Sequence, residues 1–214
     1  MLSRRSFLAS SALALAAGPV LAQEAPTIED PGALRLEISP EAVNASMTLP
    51  PDFEGDYAIP DRYRARVVQV APGLVPGEIH IVPQSYHLYY VLPGDAAVRY
   101  GVAVGQEGLG WHGQASIGRK VEWPSWRPTD EMIARNPGRY AKYAEGMPGG
   151  PDNPLGARAL YLFQGERDTA IRIHGTTDPS SIGASASNGC FRMYNSHVID
   201  LYNRVSLGSR AFAY

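Results

Sequence analysis

Apolar and polar residues alternate along the middle of the chain, and a period of two is the pattern of β-strands. In residues 77–82, GEIHIV, Ile79 and Ile81 fall on one face of such a strand. The alternation continues through residues 86–92, YHLYYVL, and 97–105, AVRYGVAVG, with turn-forming Pro, Gly, Ser and Asp residues between the segments. This part of the chain is therefore predicted to be a meander of strands.

Two further strands are predicted in the second half of the chain, in residues 157–163, ARALYLF, and 169–175, TAIRIHG. In the second of these, Ile171 and Ile173 share one face, and His174 lies on the other face near the strand end.

Near the C-terminus the apolar period changes to that of a helix, with Val198, Leu201, Tyr202 and Val205 on one side. Asn195 or Ser196 is expected to cap this helix, and Gly208 to end it. His197, at its start, is expected at the surface. A last strand is predicted in residues 209–214, so the chain is predicted to be mainly β with one clear helix.

Residues 105–156 lack a sustained period and contain the three tryptophans of the chain, including Trp126, with many Gly and Pro residues. A short helix is predicted in residues 129–136, with Thr129 as its cap. A long irregular segment within a domain is usually a lid or a binding loop, and a surface insertion without function is the alternative.

The N-terminus has the pattern of an export signal: Arg4 and Arg5 precede a short apolar stretch that ends in small residues, with cleavage expected after Ala22. The paired arginines resemble a twin-arginine signal, and an ordinary secretory signal is the alternative. Residues 23–76, rich in proline and acid, are expected to form an extended arm. No later apolar stretch is long enough to span a membrane.

Charge and composition exclude several classes of function. The chain has 19 basic and 21 acidic residues, and loss of Arg4 and Arg5 with the signal leaves 17 against 21, a net charge of −4. That balance argues against a nucleic-acid partner. The five histidines show no metal-ligand spacing, so no metal site is predicted.

The chain has a single cysteine, Cys190, in a turn rich in Gly and Ser. In an exported protein a lone cysteine is an intermolecular link, a reactive thiol or an inert buried residue. His174 is a candidate base, Gly189 allows a substrate to approach the backbone, and Arg192 would favour a thiolate or bind a carboxylate. Together these residues suit acyl transfer through a thioester.

The most informative stretch of the chain is residues 173–202, IHGTTDPSSIGASASNGCFRMYNSHVIDLY. It resembles the signature of the L,D-transpeptidase catalytic domain, the YkuD-type family. The resemblance is to the periplasmic branch of this family, which acts on peptidoglycan. The resemblance extends over roughly residues 77–214, which we expect to be the catalytic domain. It implies a β-sandwich of mixed sheets with a capping loop and a C-terminal helix.

The resemblance also implies roles for individual residues. Cys190 matches the nucleophile, His174 the general base, and the carbonyl of Gly175 the group that orients the imidazole. The implied oxyanion hole consists of backbone N–H groups at Asn188, Gly189 and Cys190. The implied substrate-binding residues are Ser187, Arg192, Thr176 and Trp126. Many members carry histidine where this chain has Asn188, which leaves no second histidine to assist catalysis.

The implied reaction is attack by Cys190 on a peptidoglycan tetrapeptide stem, with release of the terminal D-Ala and transfer to an amine. That amine could belong to a second stem, which gives a 3→3 cross-link, or to an outer-membrane lipoprotein. Water as acceptor would make the protein an L,D-carboxypeptidase. A non-catalytic wall-binding protein and a general cysteine peptidase are further alternatives. No cofactor is expected, and the expected location is the periplasm.

Overall fold

The computed structural model describes residues 36–37, 47–106, 110–187 and 189–214. The predicted signal peptide, residues 1–22, therefore lies outside the described residues, as does Asn188.

Fourteen strands and three α-helices make up the described chain. In chain order they are β1 (Leu36–Glu37), β2 (Phe53–Glu54), β3 (Tyr57–Ala58), β4 (Arg66–Gln69), β5 (Ile79–Val82), β6 (His87–Leu92), β7 (Ala96–Gly101), β8 (Val104–Gly105), β9 (Gly113–Glu122), α1 (Asp130–Arg135), α2 (Pro137–Tyr140), β10 (Arg158–Gln164), β11 (Arg167–His174), β12 (Ser185–Ser187), β13 (Phe191–Arg192), α3 (Asn195–Arg204) and β14 (Arg210–Ala213).

Ten strands form one mixed sheet in the order β1-β4-β7-β6-β5-β14-β9-β10-β11-β13. The pairs β5–β14 and β11–β13 are parallel, and the other pairs in this sheet are antiparallel. A smaller sheet joins β8 and β12 in parallel. The predicted meander is present as β5, β6 and β7. The mainly β fold with mixed sheets and a C-terminal helix is thus confirmed.

One apolar cluster joins the two halves of the large sheet to α3. Ile79 and Ile81 of β5 are fully buried in it, as are Leu160 of β10 and Ile173 of β11. From α3 and the residue after it the cluster receives Val198, Leu201 and Val205, and the fourth position that the helical period predicted, Tyr202, packs against it while partly buried. Full burial of one such aliphatic side chain contributes about 1.5–3 kcal/mol, so this cluster is the main source of stability.

The strand β9 corrects the prediction that residues 105–156 are irregular throughout. It is ten residues long and lies between β10 and β14. Ala115 and Ile117 alternate into the core, but Gly118 follows them and weakens the pattern. That glycine is required by packing, because a Cβ there would lie 2.4 Å from the ring of Phe163.

Three predictions about α3 are wrong. The helix ends at Arg204, four residues before the predicted stop at Gly208. His197 is fully buried, between the rings of Tyr100 and Tyr194 at 5.6 Å and 5.0 Å, because it lies one turn before Leu201 on the inner face. The helix also lacks a side-chain cap from Asn195 or Ser196. Instead the carboxylate of Glu54 accepts the N–H groups of both residues, at 3.1 Å and 3.0 Å.

Glu54 belongs to the part of the proline-rich arm that the structure describes. This part folds onto the domain as the β2–β3 hairpin and as β4, which pairs with β7. Tyr63 packs so closely on Gly101 of β7 that a Cβ there would lie 2.5 Å from the Tyr63 Cβ. The large sheet therefore extends beyond the predicted domain start at residue 77.

Candidate active site

Cys190 lies immediately before β13, at the edge of the large sheet. Strand β13 runs parallel to β11, with Ile173 opposite Phe191 and His174 opposite Arg192. On its other side β13 forms a bridge to Ala103, whose N–H and C=O pair with the backbone of Arg192 at 2.9 Å each. This register fixes the backbone of the cysteine turn beside the strand that carries His174.

The turn before Cys190 is held by the hydroxyl of Ser187. That buried hydroxyl donates to the carbonyl of Cys190 at 2.5 Å and accepts the N–H of Gly189 at 3.2 Å. Gly189 has φ 115°, in the region that only glycine adopts without strain. Of the predicted oxyanion donors, the Gly189 N–H is therefore already bound to Ser187, and Asn188 lies outside the described residues.

The imidazole of His174 is buried at the end of β11, with Nδ1 at 2.6 Å from the carbonyl of Gly175. A carbonyl only accepts, so in the neutral ring Nδ1 carries the proton and the lone pair is on Nε2. Burial lowers the pKa of His174 to about 4; the Gly175 carbonyl opposes this shift, and the positive charges of Arg192 and Arg172 add to it. The ring is therefore a neutral base at neutral pH.

The thiol of Cys190 is half-buried, and its Sγ lies 3.8 Å from the carbonyl oxygen of Ala170. Burial raises the pKa of Cys190, while the backbone and the charge of Arg172 and the charge of Arg192 oppose the rise. At rest the thiol and the imidazole are therefore both neutral. Such a pair needs base-assisted deprotonation of the thiol at the moment of attack.

Asn195 braces the backbone on which His174 depends. Its side-chain amide donates to the carbonyl of Thr176 at 2.8 Å and accepts the N–H of Ala157 at 2.9 Å. The two chain segments approach so closely that a Cβ on Gly175 would lie 2.2 Å from the Asn195 side-chain oxygen. Sequence reasoning missed this role and assigned Asn195 to a helix cap.

A pocket of about 390 Å³ opens above Cys190 and is covered by residues 123–154, which we call the lid. The lid contains α1 and α2, and its two ends are joined by paired backbone hydrogen bonds between Trp126 and Met147, at 2.9 Å and 2.6 Å. Besides Cys190, the pocket is lined by Trp126, Met132, Arg139, Tyr140, Lys142, Tyr143, Met147, Asp152, Pro154, Thr177 and Arg192.

Of the four predicted substrate-binding residues, two line this pocket, and Thr176 and Ser187 do not. Arg192 and Trp126 line it, and Trp126 packs edge-on against Tyr140 and Tyr143. Thr176 is buried, and its hydroxyl accepts the N–H of Asp178, whereas the neighbouring Thr177 lines the pocket.

The predicted lid helix is present as α1, with Thr129 as its cap. The lid cations Arg139 and Lys142 also line the pocket. They were missed because they lie in a segment without a sequence motif.

The helices in the described part of the chain are all too short or too polar to cross a lipid bilayer. Within residues 47–106, 110–187 and 189–214, no three His, Cys, Asp or Glu side chains are grouped as metal ligands would be.

Comparison with known sequences identifies relatives of this chain. It is 31% identical to the probable L,D-transpeptidase ErfK/SrfK of Escherichia coli K12 over 150 residues, which are 66% of this chain and 45% of the relative. A similar match, 31% over 146 residues, links it to the probable L,D-transpeptidase YbiS of the same organism. The chain spans about half the length of the curated relatives it matches.

Comparison with solved structures supports the fold. A crystal structure from Brucella melitensis, described as a probable carnitine operon oxidoreductase CaiA, is 54% identical with a TM-score of 0.51, over 72% of this chain and 94% of that one. The Ldtfm–avibactam carbamoyl enzyme is 16% identical with a TM-score of 0.50, over 69% of this chain and 54% of that one. The second shows a shared fold only.

The family comparison covers the whole site. The sequence model described as YkuD, L,D-transpeptidase catalytic domain, matches residues 76–212, which include both His174 and Cys190. The chain therefore belongs to the YkuD family of L,D-transpeptidase catalytic domains.

Proposed function

We propose that this protein is an L,D-transpeptidase that acts on tetrapeptide stems of peptidoglycan through an acyl-enzyme on Cys190. The observation that carries the proposal is the shared pocket of Cys190 and Arg192 beneath the lid, beside the strand that ends in His174, whose Nδ1 is held by the Gly175 carbonyl. The oxidoreductase description of the Brucella structure belongs to that protein, and no observation of this site favours it.

The reaction begins when Nε2 of His174 takes the thiol proton and the sulfur of Cys190 attacks the carbonyl before the terminal D-Ala. A C–S bond forms, the C–N bond breaks, and the imidazolium returns its proton to the leaving amine. The acceptor amine then attacks the thioester, its proton passes to His174, and Cys190 leaves as thiolate and is reprotonated. The carbonyl of Gly175 holds the ring in the tautomer that both steps need.

The developing oxyanion needs backbone donors that are free of other partners. Ser187 already occupies the Gly189 N–H, so we assign the hole to the N–H groups of Cys190 and Asn188, with Gly189 supplying its conformation. Arg192 and Trp126 are proposed to contact the stem peptide in the pocket, and Thr176 to support the turn beside it.

We place the mature protein in the periplasm, after removal of residues 1–22, with the arm from residue 23 and the catalytic domain from residue 77. The proposed acceptors are the amine of a second stem, giving a 3→3 cross-link, or a lysine of an outer-membrane lipoprotein. Water as acceptor would give an L,D-carboxypeptidase.

The decisive experiment incubates purified sacculi with the protein, digests them and measures the fragments by mass spectrometry. Cross-linked 3→3 dimers or lipoprotein-linked fragments support the proposal, and only trimmed tripeptides would replace it by carboxypeptidase activity. No change in the sacculi would favour a wall-binding protein. In parallel, a carbapenem should add once to the wild-type protein and not to Cys190→Ala, and His174→Ala should acylate far more slowly.

A further inference from the structure

The pocket above Cys190 carries an excess of positive charge. Arg192 enters it from β13, and Arg139 and Lys142 enter it from the lid, whereas Asp152 is the single carboxylate among the described lining residues. Burial lowers the pKa of Arg192, and the like charge of Arg139 adds to this effect while Asp178 opposes it. Both guanidinium groups line the same pocket, where like charges repel each other.

These three cations take no part in the ion pairs found within the described chain, which sets them apart from other basic residues nearby. Arg127, a lid cation outside this pocket, pairs with Asp130 at 2.8 Å. Arg172, on the strand beside Cys190, pairs with Asp168 at 2.6 Å. Converging cations that form no close ion pair with a described carboxylate are the arrangement that an anionic ligand completes.

The lid cations are held by local contacts rather than by acids. The guanidinium of Arg139 lies 5.4 Å from the ring centre of Tyr140, and the ammonium of Lys142 lies 4.8 Å from that of Tyr143. Trp126 packs against both rings, so the aromatic wall and the cations form one unit. The side chain of Asn136 accepts the N–H of Arg139 at 3.2 Å and fixes the start of α2.

We propose that Arg139 and Lys142 are specificity-determining residues that bind the free C-terminal carboxylate of the donor peptide. This inference rests on the proposed transpeptidase function. In a stem that ends in D-Ala, only the amide nitrogen and the α-carbon separate that carboxylate from the carbonyl that Cys190 attacks. The carboxylate must therefore lie inside the same pocket when the scissile carbonyl reaches the sulfur.

In this arrangement the lid distinguishes donor peptides by the charge and the position of their C-terminal group. A donor whose terminal carboxylate is replaced by a carboxamide keeps its shape but loses the charge that the cations bind. A donor extended by one more residue carries its carboxylate away from the scissile carbonyl. Both should be poorer donors than the free tetrapeptide, because neither places a negative charge beside Arg139 and Lys142.

The experiment compares a tetrapeptide stem as the free acid with its C-terminal carboxamide and measures kcat/KM for release of the last residue. The wild-type protein should prefer the acid by at least about tenfold. The single variants Arg139→Gln and Lys142→Gln should each reduce kcat/KM for the acid by about tenfold and change kcat/KM for the amide little. Arg135→Gln, which removes a charge from the same lid outside the pocket wall, is the matched control and should leave the preference unchanged.

Alkylation of Cys190 by the neutral reagent iodoacetamide tests the fold of each variant and should proceed at the wild-type rate. Equal use of acid and amide by the wild-type protein, or an acid preference that survives in the Arg139→Gln/Lys142→Gln double variant, would overturn the inference. A wild-type protein that releases no residue from either donor would instead refute the proposed function.

Discussion

Replacement of Asn195 by alanine tests whether the brace behind the active site controls catalysis. The change removes two hydrogen bonds, at 2.8 Å to the Thr176 carbonyl and at 2.9 Å from the Ala157 N–H, and both backbone partners belong to buried residues. Leaving such partners unsatisfied costs about 1–3 kcal/mol. At a size near 200 residues, about 2 kcal/mol lowers Tm by roughly 4–8 °C.

The catalytic effect of Asn195→Ala should exceed its effect on stability, because the Gly175 carbonyl that orients His174 is attached to the braced segment. We expect the rate of acylation by a carbapenem, measured well below Tm, to fall by about tenfold or more, since misplacement of a base by a fraction of an ångström weakens proton transfer. Thermal unfolding is followed by circular dichroism, and acylation by the loss of β-lactam absorbance.

The matched control is Asn203→Ala, the same change at an exposed position of the same helix. A further check uses Gly175→Ala, whose new Cβ would lie 2.2 Å from the Asn195 side-chain oxygen. It should cost less in the Asn195→Ala background than in the wild type. If Asn195→Ala changes Tm and the acylation rate no more than Asn203→Ala does, or if the two effects of the double variant simply add, the brace has no such role.

Three further outcomes are expected. His174, with a pKa of about 4, must be neutral to accept a proton, so the acylation rate should persist down to about pH 5 and fall near pH 4. An acid limb near pH 6.5 in the pH–rate profile would contradict the assigned burial. The variant Glu54→Gln should lose about 0.5–2 kcal/mol of unfolding free energy in urea, because α3 loses its charged cap, whereas the exposed Asp56→Asn should lose almost none. Burial also lowers the pKa of His197 to about 4. The free energy of unfolding should therefore decrease as pH falls from about 6.5 towards 4, because the unfolded state binds the proton first. Chemical denaturation at pH 5 and 7 should show a smaller pH dependence for His197→Phe, and an unchanged dependence would show that His197 is not the cause.

The fold class and the family could be predicted from the sequence, whereas several elements and long-range contacts could not. The Cys190 and His174 motifs are short and contiguous, so their residues could be named without knowing the fold. The strand β9 was missed because Gly118, which close packing on Phe163 requires, interrupts its alternation. His197 was misplaced because a histidine beside polar neighbours resembles a surface residue, and only the helix register against Leu201 turns it inward.

The remaining features depend on contacts between distant parts of the chain, which local patterns do not encode. Glu54 caps a helix that begins 141 residues later in the sequence. Arg139 and Lys142 acquire their position only when the lid folds over the cysteine turn. Asn195 was singled out by its place before an apolar helix, but its amide bonds to two loops instead.

The pairing of β4 with β7 has a practical consequence for any fragment cut to the family's bounds, residues 76–212. Such a fragment would lack β4, so the backbone N–H and C=O groups along one side of β7 would become an open sheet edge, the kind of surface through which chains join into aggregates. It would also lose the carboxylate that caps α3 and the tyrosine that covers Gly101. The smallest independently soluble form of this enzyme should therefore begin no later than about residue 47, well before residue 76, where the family match begins.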